Sequence, residues 1–184
     1  WYTVYAKTDK EAGHRGISAF IVPRDAGVIV DKKEDKMGQR ASNTATISFD
    51  EVEIPAENLL GEENKGFKLA MMTLDRTRPG VSAMAVGIGR AAFEYAADYA
   101  REREAFGKPI LARQGISFKL ADMAMEIEAA RLLVWRACAA LDAGEDAGLL
   151  GSYAKAFAAD TAMRVTTDAV QVLGGAGIML DHPV

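Results

Sequence analysis

The sequence predicts an α+β chain: antiparallel strands over the first third, then long helices forming a bundle with one side open. Three observations carry this. Up to about residue 55, Val, Ile, Thr and Phe fall in short runs between polar or Gly/Pro turn signals, as closely spaced antiparallel strands do. From residue 64 onward apolar residues recur at spacings of three and four over alanine-rich stretches, the mark of helix faces. Three of those helices, of roughly 25 to 30 residues and ~40 Å each, exceed the average globular helix and would pack lengthwise. Three leave a four-helix arrangement unclosed.

Residues 1–6 read as a strand and 8–15 as a polar loop. Ile17 to Val22 is a second strand, stopped by Pro23. Asp25-Ala26-Gly27 is a turn signal, and residues 28–30 open a third strand. Residues 44–54 hold a fourth. Its apolar parity flips between Phe49 and Val52, so Asp50-Glu51 is expected to be a bulge or tight turn.

The first helical stretch covers 66–76, with Phe67, Leu69, Ala70, Met71 and Leu74. Pro79 is expected to interrupt it and to begin a new helix, because proline has no N–H to donate inside one. That helix runs to about 103 through Val81, Ala85, Ile88, Ala92, Tyr95 and Tyr99, and Gly107-Lys108-Pro109 ends it. The next spans about 113–143, closed by Gly144, and is expected to bury Phe118, Leu120, Met123, Ile127, Leu132, Trp135 and Cys138. The last begins near Asp146, ends at Gly174-Gly175, and carries Tyr153, Phe157, Met163, Val165, Val170 and Leu173.

Hydrophobic residues are 49% and charged residues 26% of the 184 residues, ordinary for a globular protein. Twenty-two Lys and Arg against 26 Asp and Glu give a net charge of −4, which argues against a nucleic-acid surface and a polybasic membrane anchor. A single cysteine excludes an intramolecular disulfide framework, and His14 and His182, the only histidines, argue against a multi-histidine metal centre. The chain opens at Trp1 within an apolar run, without an initiator methionine, and is expected to be a piece of a longer protein.

Taken singly, the motifs are weak. Gly87-Ile88-Gly89 lies inside a helix with no strand before it, so it reads as helix packing rather than a dinucleotide loop. Gly174-Gly175-Ala176-Gly177 follows a helix, whereas phosphate-cradling glycines precede one. Met71, Met72, Met84, Met123 and Met125 read as core rather than a soft-ligand site, and Cys138 as inert core. Asp75-Arg76-Thr77-Arg78-Pro79 packs three charges into a helix junction, where solvated and functional readings compete.

Taken together and in order, they carry a resemblance. The blocks are Gly16-Ile17-Ser18-Ala19-Phe20-Ile21-Val22, Lys36-Met37-Gly38-Gln39-Arg40-Ala41-Ser42, Val52-Glu53-Ile54-Pro55-Ala56-Glu57-Asn58-Leu59-Leu60-Gly61 and Gly66-Phe67-Lys68. Residues 75–79, Tyr99-Ala100-Arg101-Glu102-Arg103, Phe106-Gly107-Lys108-Pro109-Ile110, Gln114-Gly115-Ile116-Ser117-Phe118 and Asp168-Ala169-Val170-Gln171-Val172-Leu173-Gly174-Gly175 follow. Across essentially the whole chain the sequence resembles the acyl-CoA dehydrogenases, most of all the medium-chain type.

The resemblance implies that residues 1–62 are the second half of an antiparallel, β-barrel-like middle domain. Residues 63–184 would be an up-down four-helix bundle lacking its last helix. It implies FAD as cofactor and oxidation of a fatty acyl-CoA to the trans-2-enoyl-CoA. A glutamate removes the α-proton and the β-hydrogen leaves as hydride to the flavin, with electrons passed to an electron-transfer flavoprotein. Hydrogen bonds to the thioester oxygen lower the barrier as enolate charge develops. It further implies a homo-oligomer, a dimer of dimers whose FAD site is shared between subunits, and a place in fatty-acid oxidation. The compartment would be the cytoplasm of a bacterium or the mitochondrial matrix of a eukaryote.

By resemblance, Arg103 and Phe106 contact the FAD pyrophosphate and adenosine, Arg113 and Gln114 also touch FAD, and Gln171, Val172, Leu173, Gly174 and Gly175 receive its adenine-ribose end. Asp75, Arg76, Thr77 and Arg78 match the segment lining the acyl-CoA thioester, with Arg76 where a lysine is expected. The departures are equally specific. The catalytic glutamate of the medium-chain type lies in a Tyr-Glu-Gly-Thr-like motif that would follow Val184, and the position other relatives use holds Thr77, which cannot act as a base. The Thr-Glu-Pro-rich loop and Trp-Ile-Thr segment that hold the flavin ring are also absent. So no catalytic residue is assigned, and the 184 residues alone are expected to be inactive. Alternatives on the same fold are an acyl-CoA oxidase or a flavin monooxygenase; a non-enzymatic helical module would be stable and bind no flavin. His14 and Arg15 form a loop that could meet CoA phosphates or be simply solvated.

Overall fold

The computed structural model describes residues 1–184, and divides into two compact units, 1–72 and 73–184. It is α-rich, with three long helices and three small antiparallel sheets.

In the first unit, β1 (Tyr2–Lys7) pairs antiparallel with β2 (Ile17–Val22), Tyr2 opposite Val22 and Lys7 opposite Ile17. The polar loop between them closes with a single 3-10 turn, Gly13–Gly16. Gly16 is required there, since a β carbon would sit 2.0 Å from the Asp9 carbonyl oxygen. β3 (Ile29–Lys33) pairs with β4 (Ala45–Ser48), with a register shift between Val30 and Lys32. The fourth strand is shorter than the sequence suggests. It stops at Ser48, and Glu51 takes a φ of 47°. The parity flip therefore marks a tight turn that ends the strand, and Val52 to Ile54 continue outside any sheet.

Ser18, fully buried, joins β2 to the chain entering the helices. Its hydroxyl accepts from the Asn64 N–H at 2.7 Å and bonds the Thr8 hydroxyl at 2.8 Å. Gly66 lies so close to the Ser18 backbone that a β carbon would meet its carbonyl carbon at 2.5 Å.

The principal correction concerns Pro79. Residues 66–76 and the helix after them are one element, α1 (Gly66–Glu102), 37 residues with Pro79 inside. The missing N–H leaves the Asp75 carbonyl, four residues back, without its donor. The Ser82 hydroxyl donates to the Arg78 carbonyl at 2.7 Å, adding a bond to the turn that follows the proline. Across from it stands Gly151, where a built β carbon lies 3.4 Å from the Asp75 carbonyl oxygen and 3.6 Å from Pro79 Cδ. Asp75, the carbonyl that proline leaves without its helical donor, thus faces a residue with no side chain.

α2 (Gln114–Asp142) and α3 (Gly148–Leu173) follow, α2 closed by Gly144 at φ 72° as expected. The helices of the second unit share a core of small residues. Ala92, Ala96, Ala97 and Ala100 of α1 meet Leu120, Met123 and Ile127 of α2 and Val165, Ala169 and Leu173 of α3. Alanine at these positions lets helices approach closely. Several residues expected to be buried are not. Phe118 (62%), Leu132 (53%) and Trp135 (60%) are exposed on α2, and Cys138 is half-buried. Of the five methionines read as core, Met123 is buried, Met71 is half-buried, and Met72, Met84 and Met125 are exposed. Periodicity identifies a helix, but not which of its apolar faces is covered. No helix is long and apolar enough to cross a membrane.

Candidate functional site: an arginine- and glycine-walled cavity

After α1 the chain makes a hairpin too short to show in the sequence. β5 (Glu104–Ala105) pairs with β6 (Lys108–Pro109), leaving Phe106-Gly107 as a two-residue turn. Both turn residues have positive φ, 54° and 78°. That is the backbone of a type I′ turn, which favours Asn-Gly. A phenylalanine held there costs roughly 1–2 kcal/mol, and its ring is 96% exposed. Arg113 keeps the turn in place: its Nη2 donates to the carbonyls of Ala105 (3.1 Å) and Phe106 (3.2 Å), and the guanidinium carbon lies 5.7 Å from the Phe106 ring centroid. A strained backbone that presents an exposed ring points to a ligand.

This turn edges an open cavity of about 690 Å³, within the range of ligand clefts. One wall is Tyr99, Arg103 and Phe106; a second is Ile110, Arg113 and Ile116, at the entry to α2. The third is the end of α3 and the 3-10 turn after it, Val172 through Ala176. Arg103 is exposed and makes no ion pair or side-chain hydrogen bond, so its guanidinium is free to take a ligand. Gly174, at φ 62°, suits only glycine. Gly175 has neither a positive φ nor a neighbour within 4 Å of a built β carbon, so nothing in the chain itself demands glycine there.

The cavity therefore gathers Arg103, Phe106, Arg113, Val172, Leu173, Gly174 and Gly175 from segments far apart in the chain. Gln114 and Gln171, next to Arg113 and Val172 in the chain, are exposed and do not line it. The wall residues Tyr99, Ile110 and Ile116 were not singled out as a site from the sequence; they stand in the blocks that carry the resemblance, but an apolar side chain there reads equally as core.

The other group disperses. On α1 the Arg78 Nη1 donates to Asp75 at 2.5 Å and to the Ser152 hydroxyl of α3 at 3.2 Å, so these two charges brace the helices. Arg76 instead lines a hollow with Leu141, Gly144 and Glu145 at the C-terminal end of α2, the end of a helix that favours a cation. The Thr77 hydroxyl has a single hydrogen bond, 3.4 Å to the Leu74 carbonyl of its own helix. No group of three or more His, Cys, Asp or Glu side chains is placed to hold a metal ion. His14 packs its ring on Phe67 at 5.1 Å.

Comparison with known proteins gives one answer. The family model for the acyl-CoA dehydrogenase C-terminal domain matches residues 64–184. A short-chain-specific acyl-CoA dehydrogenase of Megasphaera elsdenii is 52% identical over the whole chain, which covers 48% of that relative. The solved butyryl-CoA dehydrogenase from Megasphaera elsdenii is 51% identical with a TM-score of 0.96, over 99% of this chain and 48% of its own. A chain from a structure of the electron transferring flavoprotein of Acidaminococcus fermentans is 49% identical, TM-score 0.95, over 99% of this chain and 48% of its own. The chain thus spans about half the length of the relatives it matches. With its helical unit matched by the family model and its whole length similar to these relatives, the chain belongs to the acyl-CoA dehydrogenase family.

Proposed function

We propose that the whole protein oxidises a fatty acyl-CoA to the trans-2-enoyl-CoA with FAD, and that the cavity described above takes the pyrophosphate and adenosine end of the cofactor. The observation that carries this is the unpaired Arg103 beside the strained, exposed Phe106, with a glycine wall opposite. A free guanidinium forks two phosphate oxygens. The Phe106 ring offers an apolar face to the adenine, and Gly174 and Gly175 let the backbone come close. Arg113 acts mainly through the hairpin, holding Phe106 in place. When bound, FAD supplies the hydride acceptor, chemistry no side chain here provides.

Acyl-CoA is assigned to residues 75–78 as a segment. The Asp75–Arg78 pair fixes it against α3, and Thr77 is the member whose side chain reaches no other helix. Thr77 has no carboxylate, so the glutamate that removes the α-proton is placed outside residues 1–184. We extend the reading to the fold and partners of the whole protein: a barrel-like β-domain to which residues 1–62 contribute, a helical bundle from residue 63, and paired homodimers sharing FAD sites. An electron-transfer flavoprotein is the proposed acceptor, supported by the likeness to a chain found in such a structure.

The test is spectroscopic. Complete protein, purified, should be yellow, should bleach anaerobically on adding acyl-CoA, and should be reoxidised by an electron-transfer flavoprotein or a dye. Colourless protein that neither carries nor takes up FAD contradicts the proposal.

A further inference from the structure

The glycine wall raises a question of rigidity. Gly174 and Gly175 bring no side chains to pack, for β carbons built there meet nothing within 4 Å, while Val172 and Leu173 before them and Ala176 after them belong to the helical core. After it Gly177 is buried against Val170, but the next three residues, Ile178, Met179 and Leu180, are exposed and give the turn no further hold. Upstream, the wall is tied by α3, whose Asp168 pairs with Lys119 of α2. Downstream, the chain turns back through two backbone hydrogen bonds, Met179 N–H to the Ala176 carbonyl (3.1 Å) and His182 N–H to the Met179 carbonyl (3.3 Å). They deliver His182 to α1, where its Nδ1 lies 2.7 Å from the Tyr95 hydroxyl. The imidazole stands edge-on to Tyr95, with ring centroids 5.9 Å apart, and to Tyr99, at 5.8 Å. Tyr99 is itself a wall of the cavity.

We infer that His182 is a positioning residue for the cofactor cavity, latching the glycine wall to α1 through Tyr95 and Tyr99. The inference rests on the FAD reading above. α1 and the end of α3 already share a packed core, and one imidazole adds a directional tie between α1 and the segment beyond the glycines. Its hydrogen bond sets the ring's orientation, and the ring in turn limits where Tyr99 can lie. A preformed wall spares FAD the entropy of ordering a glycine-rich segment on binding.

The experiment titrates FAD into the complete apoprotein, following flavin fluorescence, and records the apoprotein's thermal midpoint alongside. His182→Leu and Tyr95→Phe each remove the hydrogen bond and should weaken FAD binding by about three- to tenfold. The double variant should bind no worse than the weaker single one, because both act on one interaction. His182→Asn, which returns a polar atom near the Nδ1 position, should recover part of the affinity. A latch confined to stability would lower the midpoint while leaving FAD affinity, measured well below it, at the wild-type value; that result overturns the inference. Additive losses in the double variant overturn it as well. Wild-type protein without FAD affinity overturns the FAD reading and the latch with it.

Discussion

Phe106 keeps its ring in water and its backbone in the left-handed region, and neither favours an isolated hairpin. Phe106→Asn should therefore raise the thermal midpoint of the apoprotein, by about 2–4 °C for about 1 kcal/mol of relieved strain, while weakening FAD binding. Differential scanning fluorimetry and FAD titration on one sample check both signs; a variant that loses stability and keeps its affinity contradicts this reading. The residue was legible in the sequence only through the family's motif. Its strain was not, because strands as short as Glu104–Ala105 and Lys108–Pro109 leave no alternating pattern to read. Arg103 is similar: its motif was visible, but its freedom from any ion pair depends on where Glu102 and Glu104 point, which only the fold decides.

Among the elements, α1 shows best how packing overrides local preference. Pro79 reads as a break, yet the helix runs through it, with Gly151 of α3 leaving room beside the Asp75 carbonyl and the proline ring. Gly151→Leu should lower the thermal midpoint markedly, since atoms beyond its β carbon would press on Asp75, Arg78 and Pro79. Gly177 makes a sharper test. A β carbon there would lie 2.4 Å from the Val170 carbonyl oxygen, so Gly177→Ala must displace the turn after α3. It is expected to reduce both stability and FAD affinity, whereas Gly175→Ala, with open space around it, should spare stability and affect affinity alone. Equal thermal midpoints for Gly177→Ala and wild type contradict the packing described. The strands were legible where a short apolar run meets a stop, as in Ile17–Val22 before Pro23, and overextended past Ser48, where a positive-φ residue ends pairing.

The whole molecule carries an apolar stripe that its own helices leave open. On α2 Phe118, Met125, Leu132 and Trp135 are all more than half exposed, at spacings of seven, seven and three that place them on one side of the helix. The 184-residue polypeptide by itself is expected to self-associate through such surface. Light scattering on a purified sample checks it, and a monodisperse monomer contradicts it. The three long helices and the family were readable because motif order persists along the entire chain. The open faces were not, because the periodicity of a covered face and an uncovered one is the same. The central claim is that the Arg103–Phe106–Gly174 cavity holds FAD. Titration of complete apoprotein with FAD, wild type against Arg103→Ala, tests it most directly. Loss of a charge-assisted bond to phosphate predicts an affinity about ten- to a hundredfold weaker, with the apoprotein's thermal midpoint unchanged. An Arg103→Ala protein that binds FAD as tightly as wild type would contradict the account.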